Sequence, residues 1–217
     1  MSPRITKRRL FGLDRSGPAP AQTRSDQPLN PWTIPNVIGY LRLAGIPVFL
    51  VIALSSPDGH DTVATILFAL IGWADYLDGF AARLTGQYSR LGALLDPIVD
   101  RLLVISGMVV CFHFTLLPRW AIVLVVAREV FMLGLSRYGL SRGVEVAINW
   151  PGRLGVAPTM GAPFFAMAGV HWLAVGLLYI GLALALLATV LYVRSGVRQA
   201  RELARQTGPP PPVRPPQ

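Results

Sequence analysis

The chain has 217 residues, of which 53% are hydrophobic and only 14% are charged, and its mean hydropathy is +0.49. This composition excludes an intrinsically disordered chain and is not typical of a soluble globular domain. The single cysteine, Cys111, excludes a disulfide framework and a cysteine metal cluster, and no recognised nucleic-acid-binding motif accompanies the net charge of +9.

Long apolar runs predict one all-α, polytopic membrane domain with six transmembrane helices and a polar cavity that faces the cytoplasm. A helix needs about 20 mostly apolar residues to cross the hydrocarbon layer, and turn or polar residues separate the runs. The predicted spans are, in chain order, 34–55, 61–83, 91–112, 118–138, 154–170 and 173–193. We assign residues 1–30 to a basic cytoplasmic arm, residues 31–200 to the transmembrane domain, and residues 201–217 to a Pro-rich disordered tail.

The distribution of basic residues predicts the orientation of these spans. Six spans place both termini on the same side of the membrane. Lys and Arg concentrate on that side, whereas the loops on the opposite side hold only Arg119. The positive-inside rule then places both termini in the cytoplasm. We therefore expect an integral, multi-pass membrane protein, in the plasma membrane if the source is prokaryotic, with the lipid bilayer and no nucleic acid among its partners.

Four aspartates lie inside the second and third predicted spans. Asp75 and Asp78 are three residues apart and Asp96 and Asp100 are four apart, so each pair lies on one helix face. The two helices form a hairpin, and the two pairs reach comparable depths. Carboxylates inside a membrane are costly unless a cation compensates them, and oxygen ligands without His or Cys suit hard divalent cations. The pattern predicts a site for two Mg²⁺ or Mn²⁺ ions. The alternative is a purely structural cluster paired with nearby arginines, namely Arg83, Arg101 and Arg128.

Eight positions on these two helices form a motif. It reads Asp75-x-x-Asp78-Gly79-x-x-Ala82-Arg83-x8-Gly92-x3-Asp96-x3-Asp100. At every position it resembles the signature of the CDP-alcohol phosphotransferase family, whose members transfer a phosphatidyl or related group from a CDP-linked donor to an alcohol and release CMP. The resemblance implies metal-binding roles for Asp75, Asp78 and Asp96. It implies that Asp100 is both a metal ligand and the general base, and that the nucleotide is bound by Gly79, Ala82 and Arg83.

Weaker motifs resemble the phosphatidylglycerophosphate synthase branch of this family and its cardiolipin synthase relatives. The segment Pro35-Asn36-x-x-Gly39-x-x-Arg42 resembles their opening motif, with Gly39 in place of a threonine. The resemblance adds Asn36 to the nucleotide-binding residues. Arg42 lies within the first predicted span, which makes it a candidate to meet the metal site or a lipid phosphate. Guanidinium groups bind phosphate in a bidentate manner. The candidate ligands of an acceptor phosphate are Arg90, Arg128 and Arg153.

These resemblances imply an enzyme that transfers a phosphatidyl group from CDP-diacylglycerol to glycerol 3-phosphate, forming phosphatidylglycerol phosphate and CMP. Cardiolipin synthesis, with phosphatidylglycerol as the acceptor, is the first alternative, and another CDP-alcohol phosphotransferase reaction is the second. A divalent-cation carrier is a third alternative. It requires acidic residues that continue toward the far side, and there the sequence offers only Asp58 and Asp61. Because members of the family are commonly dimers, a homodimer is a further expectation.

Overall fold

The structure, a computed structural model, describes residues 30–141 and 150–206; of residues 133, 136–141, 150–153 and 199–206 it describes only the backbone. Within the described residues the chain contains no strand and forms six helices: α1 Ile34–Ser55, α2 Thr62–Thr85, α3 Arg90–His113, α4 Arg119–Ser141, α5 Trp150–Met167 and α6 His171–Gln206. Each predicted span overlaps one of these helices. The last helix continues to Gln206, so it enters the segment that we predicted to be a disordered tail. Residues 1–29 of the predicted N-terminal arm and the remainder of the tail lie outside the described residues.

Local capping signals explain where the first three helices begin and end. Thr33, Asp61 and Ser89 precede α1, α2 and α3, and each side chain accepts a hydrogen bond from a main-chain N–H in the first turn. Such caps satisfy donors that have no partner within the helix. Helix α2 ends at Gly86, whose φ of +67° is the left-handed conformation that glycine adopts readily. The cap of α3 follows three residues later, which produces a short hairpin between α2 and α3.

Helix α3 lies at the centre of the bundle, where it contacts α1, α2, α4 and α5. One apolar core joins α3, α4, α5 and α6 around Met108, and a second joins α1, α2, α3 and α5 around Phe49 and Leu103. Gly107 allows α3 to approach its neighbours closely, because a Cβ at this position would lie 2.7 Å from the Phe68 ring. The residues of α3 that face α1 and α2 are therefore held by packing on several sides.

Three helices are long and apolar enough to cross a membrane, namely α1, α2 and residues 171–198 of α6. Helix α5 contributes a shorter apolar segment, Leu154–Met167. Helices α3 and α4 are less apolar because charged residues interrupt them, including Asp100 in α3 and Arg128 in α4. Large apolar side chains are exposed on α1 and α2, for example Leu41 and Ile66. Long apolar helices with exposed apolar surfaces are typical of a membrane protein.

Candidate active site

The hairpin of α2 and α3 carries the four aspartates predicted from the sequence. Asp75 is about ten residues before the end of α2 at Thr85, and Asp100 is about ten residues after the start of α3 at Arg90. At a rise of 1.5 Å per residue, both lie about 15 Å from the turn. The carboxyl groups of Asp75 and Asp100 are within hydrogen-bonding range of each other. The two pairs of aspartates therefore face each other across the hairpin.

Arg42 of α1 lies at the centre of these carboxylates, and its side chain is only 1% exposed. Its Nη1 donates to Asp75 Oδ1 at 3.1 Å and to Asp78 Oδ2 at 2.9 Å. Its Nη2 donates to Asp100 Oδ1, and its Nε donates to the main-chain oxygen of Ile71 at 3.2 Å. One buried guanidinium thus binds carboxylates from both helices of the hairpin. We call Arg42 and the four aspartates the carboxylate cluster.

The aspartates of this cluster differ in their exposure. The side chains of Asp75 and Asp100 are 47% and 37% exposed, whereas that of Asp78 is 5% exposed. Asp96 is partly buried, and it lies within electrostatic range of Asp75, Asp100 and Arg42. A reactant can therefore reach Asp75 and Asp100 in this conformation, while Asp78 is covered.

The donor chemistry of the carboxylate cluster fits a hard divalent cation, but the present spacing of the carboxylates does not. Oxygen-only ligand sets suit Mg²⁺ and Mn²⁺. Among the described residues, however, no three acidic, histidine or cysteine side chains converge closely enough to hold one ion. The guanidinium of Arg42 lies between three of the carboxylates and forms an ion pair with each of them. Metal binding by these aspartates therefore remains a prediction.

Asn36 joins the start of α1 to the start of α3, and it is only 2% exposed. Its Nδ2 donates to the main-chain oxygens of Asn30 at 2.9 Å and Pro31 at 3.2 Å, and its Oδ1 accepts from Ser89 Oγ at 2.8 Å. Gly92 makes room for this amide, because a Cβ there would lie 2.7 Å from Asn36 Oδ1. We call the contact of Asn36, Ser89 and Gly92 the α1–α3 clasp. The amide of Asn36 is therefore buried and engaged by three hydrogen bonds, and its predicted nucleotide-binding role remains a prediction.

The other predicted nucleotide-binding residues lie between the carboxylate cluster and the hairpin turn. Gly79 and Arg83 are both partly exposed, and a Cβ at Gly79 would lie 3.3 Å from Arg83 Nη1. Ala82 is buried, so its small side chain serves the packing of α2. Arg90, a predicted acceptor ligand, is the first residue of α3 and is partly exposed at the same end of the hairpin.

Arg128, a second predicted acceptor ligand, belongs to a polar group that links α3, α4 and α6. Its Nε donates to Thr189 Oγ1 at 3.0 Å, and its Nη1 donates to the adjacent Glu129. Glu129 Oε2 also lies 3.5 Å from Arg101 Nε, a buried N–H with no hydrogen-bond partner among the described residues. Arg153 belongs to α5, but its side chain lies outside the described part of the chain. An acceptor pocket shared by these arginines remains a prediction.

Three polar residues of these contacts were not predicted as site residues, namely Ser89, Glu129 and Thr189. Ser89 had a local signal, because a serine three residues before Gly92 is typical of a helix N-cap. The sequence signal for Glu129 was weaker: ionisable residues inside a membrane tend to pair with one another. Thr189 had none, because it meets its partner 61 residues away only through the packing of α4 on α6.

A cleft of about 580 Å³ opens at the end of the bundle opposite the hairpin turn. Its lining includes His60, Thr65, Met167 and His171. This cleft lies beside the loop that joins α1 to α2 and is therefore distant from the carboxylate cluster. The cytoplasm-facing cavity that we expected at the aspartates remains a prediction.

Comparison with known proteins finds a matching family model and several similar proteins with assigned names. The family model described as CDP-alcohol phosphatidyltransferase matches residues 32–193. A protein named cardiolipin synthase (CMP-forming) from Streptomyces coelicolor is 37% identical over 185 residues, which cover 80% of this chain and 85% of that protein. A probable phosphatidylglycerophosphate synthase from Mycobacterium tuberculosis is 32% identical over 171 residues, covering 75% and 81% respectively. A CDP-diacylglycerol--glycerol-3-phosphate 3-phosphatidyltransferase from Bacillus subtilis is 30% identical over 135 residues, covering 57% and 70%.

Proposed function

The chain belongs to the CDP-alcohol phosphatidyltransferase family, and from this membership we propose that it transfers the phosphatidyl group of CDP-diacylglycerol to glycerol 3-phosphate. The products are phosphatidylglycerol phosphate and CMP. Membership of the family identifies a transferase of phospholipid synthesis, and relatives in Bacillus subtilis and Mycobacterium tuberculosis carry names that match the proposed acceptor. The observation that carries the proposal is the convergence of Asp75, Asp78 and Asp100, from both helices of the family motif, on one buried arginine.

Asp100 is the residue best placed to accept the proton of the acceptor hydroxyl. Its side chain is exposed enough to meet a reactant, and its Oδ1 is oriented by Arg42. In the proposed reaction the hydroxyl oxygen attacks the phosphorus that carries the diacylglycerol, and its proton passes to the Asp100 carboxylate. The new O–P bond forms as the bond from this phosphorus to the bridging oxygen breaks, and CMP leaves with that oxygen.

The same aspartates are the proposed ligands of two divalent ions. Asp75, Asp78, Asp96 and Asp100 would hold Mg²⁺ or Mn²⁺, which when bound supply positive charge for the diphosphate oxygens of the donor. The chain supplies a further cation of its own, the guanidinium of Arg83. It lies beside Gly79, which directly follows Asp78 in α2. A guanidinium at this position suits a donor phosphate, and the absence of a side chain at Gly79 leaves room for it beside the helix.

We further propose that all six helices cross the membrane, with the termini and the hairpin turn in the cytoplasm. The charged side chains of α3 and α4 do not oppose this topology, because they form ion pairs inside the bundle. Asp100 pairs with Arg42, and Glu129 pairs with Arg101 and Arg128. Ionisable residues in membrane spans are generally paired and directed inward in this way.

Cardiolipin synthesis is the second candidate function. It is favoured by the relative from Streptomyces coelicolor, which has a higher identity and a greater coverage than the two relatives named for the glycerol 3-phosphate reaction. The chemistry at the donor is the same in both cases. The difference lies in the acceptor, which is a small water-soluble phosphate ester in one reaction and a membrane lipid in the other.

An acceptor screen tests the proposal directly. The full-length protein, purified in detergent, is incubated with labelled CDP-diacylglycerol, Mn²⁺ or Mg²⁺, and either glycerol 3-phosphate or phosphatidylglycerol, and CMP release and the lipid product are measured. We expect turnover with glycerol 3-phosphate and at least about a hundredfold less in the Asp100→Asn control. Turnover with phosphatidylglycerol alone would establish the second candidate, and the absence of CMP release with either acceptor would contradict both.

A further inference from the structure

We propose that Arg42 is a built-in counter-cation, which holds the carboxylate cluster together before divalent ions bind and yields its carboxylate contacts to them. Arg42 is then a positioning residue of the enzyme and not one of its catalytic residues. The inference rests on the proposed function, because it concerns the ions that the proposed reaction uses. It adds that ion binding is an exchange, in which the arriving ions compete with a positive charge that the protein already supplies.

The contacts of Arg42 show why the cluster depends on it. Asp78 is 5% exposed and would be buried beside other carboxylates without a compensating charge if Arg42 were neutral. A buried charge that loses its partner strongly destabilises a protein. Because Arg42 belongs to α1 and its carboxylate partners belong to α2 and α3, the same guanidinium also fixes the distance between the two helices of the hairpin.

The same contacts show why Arg42 opposes ion binding. It pairs with Asp75 Oδ1, Asp78 Oδ2 and Asp100 Oδ1, so three of the carboxylates that would hold an ion are already bound to a positive charge. No three acidic side chains of the described chain converge on one point in this arrangement. An ion can gather them only if the guanidinium withdraws from at least some of these oxygens, and until it does so the two positive charges repel each other.

A fourth contact gives Arg42 an anchor that does not depend on the carboxylates. Its Nε donates to the main-chain oxygen of Ile71 in α2 at 3.2 Å. This acceptor is neutral and cannot be taken by an ion that binds the aspartates. Arg42 can therefore give up its carboxylate contacts to the ions and stay anchored beside the cluster. When the ions leave, it can form those contacts again.

Direct Mn²⁺ binding to the full-length protein in detergent tests the exchange without reference to turnover. The free Mn²⁺ signal in electron paramagnetic resonance gives the dissociation constant, and thermal unfolding is followed with and without Mn²⁺. In Arg42→Met, which keeps the length of the side chain and removes its charge, we expect a Kd about tenfold lower than in the unaltered protein. We also expect a lower unfolding temperature without Mn²⁺ and a larger rise when Mn²⁺ is added.

Two further variants separate this role from a merely structural one. Arg42→Lys retains the charge, so its Kd should stay within about threefold of the unaltered value although its geometry is less suited to three carboxylates. Arg119→Met removes one positive charge at the distant end of α4, where Arg119 bonds Thr115, and it should also leave the Kd within about threefold. A purely structural Arg42 would instead give weaker or unchanged Mn²⁺ binding in both Arg42→Met and Arg42→Lys.

The outcomes distinguish this inference from the proposed function. Mn²⁺ binding by the unaltered protein without tighter binding in Arg42→Met overturns the exchange and leaves the proposed reaction intact. Absence of Mn²⁺ binding in the unaltered protein overturns both the exchange and the metal-assisted reaction. Arg42→Gln provides a second neutral variant if Arg42→Met does not fold. Failure of both to fold even when they are produced with Mn²⁺ also overturns the exchange, because bound ions should replace the missing charge.

Discussion

Substitution of Gly92 by alanine should open the α1–α3 clasp. A Cβ at this position would lie 2.7 Å from Asn36 Oδ1 and 3.1 Å from Ser89 Oγ. Both atoms are buried, and they share a hydrogen bond of 2.8 Å. Because a Cβ cannot approach an oxygen so closely, the Asn36 amide must move, and this movement breaks or lengthens the bond to Ser89. The first turns of α1 and α3, which lead to Arg42 and Asp100, would then separate.

The magnitude follows from two opposing effects. A buried polar group that loses its hydrogen-bond partner costs about 1–3 kcal/mol. Replacing glycine by alanine inside a helix stabilises it by up to about 1 kcal/mol, and less at Gly92 because it lies in the first turn of α3. The loss of the hydrogen bond therefore exceeds the gain, and we expect the free energy of unfolding of Gly92→Ala to fall by about 1–2 kcal/mol.

Thermal unfolding in detergent, followed by tryptophan fluorescence, measures this loss, and Gly176→Ala in α6 is the matched control. At Gly176 nothing lies within 4 Å of the added Cβ, so its stability should be unchanged or slightly higher. Asn36→Ala supplies a second comparison, because it removes the oxygen that the new methyl group meets. In the Asn36→Ala background, Gly92→Ala should cost little. The steric explanation would be refuted if Gly92→Ala lowered the free energy of unfolding equally in the unaltered protein and in Asn36→Ala. It would also be refuted if Gly92→Ala lowered this free energy by no more than Gly176→Ala does.

Three further predictions concern other parts of the molecule. Asp100→Asn should reduce CMP release at least about a hundredfold while donor binding, measured by equilibrium binding of CDP-diacylglycerol, persists; undiminished turnover would remove Asp100 as the base. Gly181→Ala should lower the free energy of unfolding by about 1–3 kcal/mol, because its Cβ would lie 3.0 Å from the main-chain nitrogen of Thr159 in α5, and an unchanged unfolding temperature would contradict that packing. Gly39→Thr, which meets nothing within 4 Å of its Cβ, should leave stability within about 0.5 kcal/mol; a KM for CDP-diacylglycerol lower than that of the unaltered enzyme would show that the added hydroxyl reaches the donor.

The helices were largely predictable because each predicted span relies on signals local to the sequence. For α1 the apolar run lies between the cap at Thr33 and the turn after Ser55, and its predicted bounds agree with the structure. The end of α6 was not predictable in the same way. Its apolar run stops near Val193, but the helix continues to Gln206 through residues that are polar and nevertheless favour helix. Hydropathy locates the membrane-crossing part of a helix, and helix propensity decides where the helix itself ends.

The carboxylate cluster was predictable only in part. Spacings of three and four residues place each pair of aspartates on one face, and the short hairpin at Gly86 places the pairs at equal depth. The sequence made Arg42 a candidate to meet this site, but its contacts with three carboxylates depend on how α1 rotates and packs against α2 and α3, which no pattern within α1 specifies. The same limit applies to the burial of Asn36, because its hydrogen bond with Ser89 joins residues 53 positions apart in the chain.

The charges of the carboxylate cluster are compatible with the proposed exchange between Arg42 and divalent ions. When all four aspartates are ionised, Arg42 compensates only one of four negative charges, so the cluster still attracts cations. Two divalent ions would bring the sum, with Arg42, to a small positive charge, which suits a donor that carries an anionic diphosphate. If the exchange holds, removal of Arg42 should lower the stability of the ion-free protein, because Asp78 would lose its compensating charge, and a second arginine beside Arg42 would leave the ions too little negative charge. In the proposed exchange, a single buried guanidinium would therefore stabilise the hairpin before ions bind and would still leave negative charge to attract them.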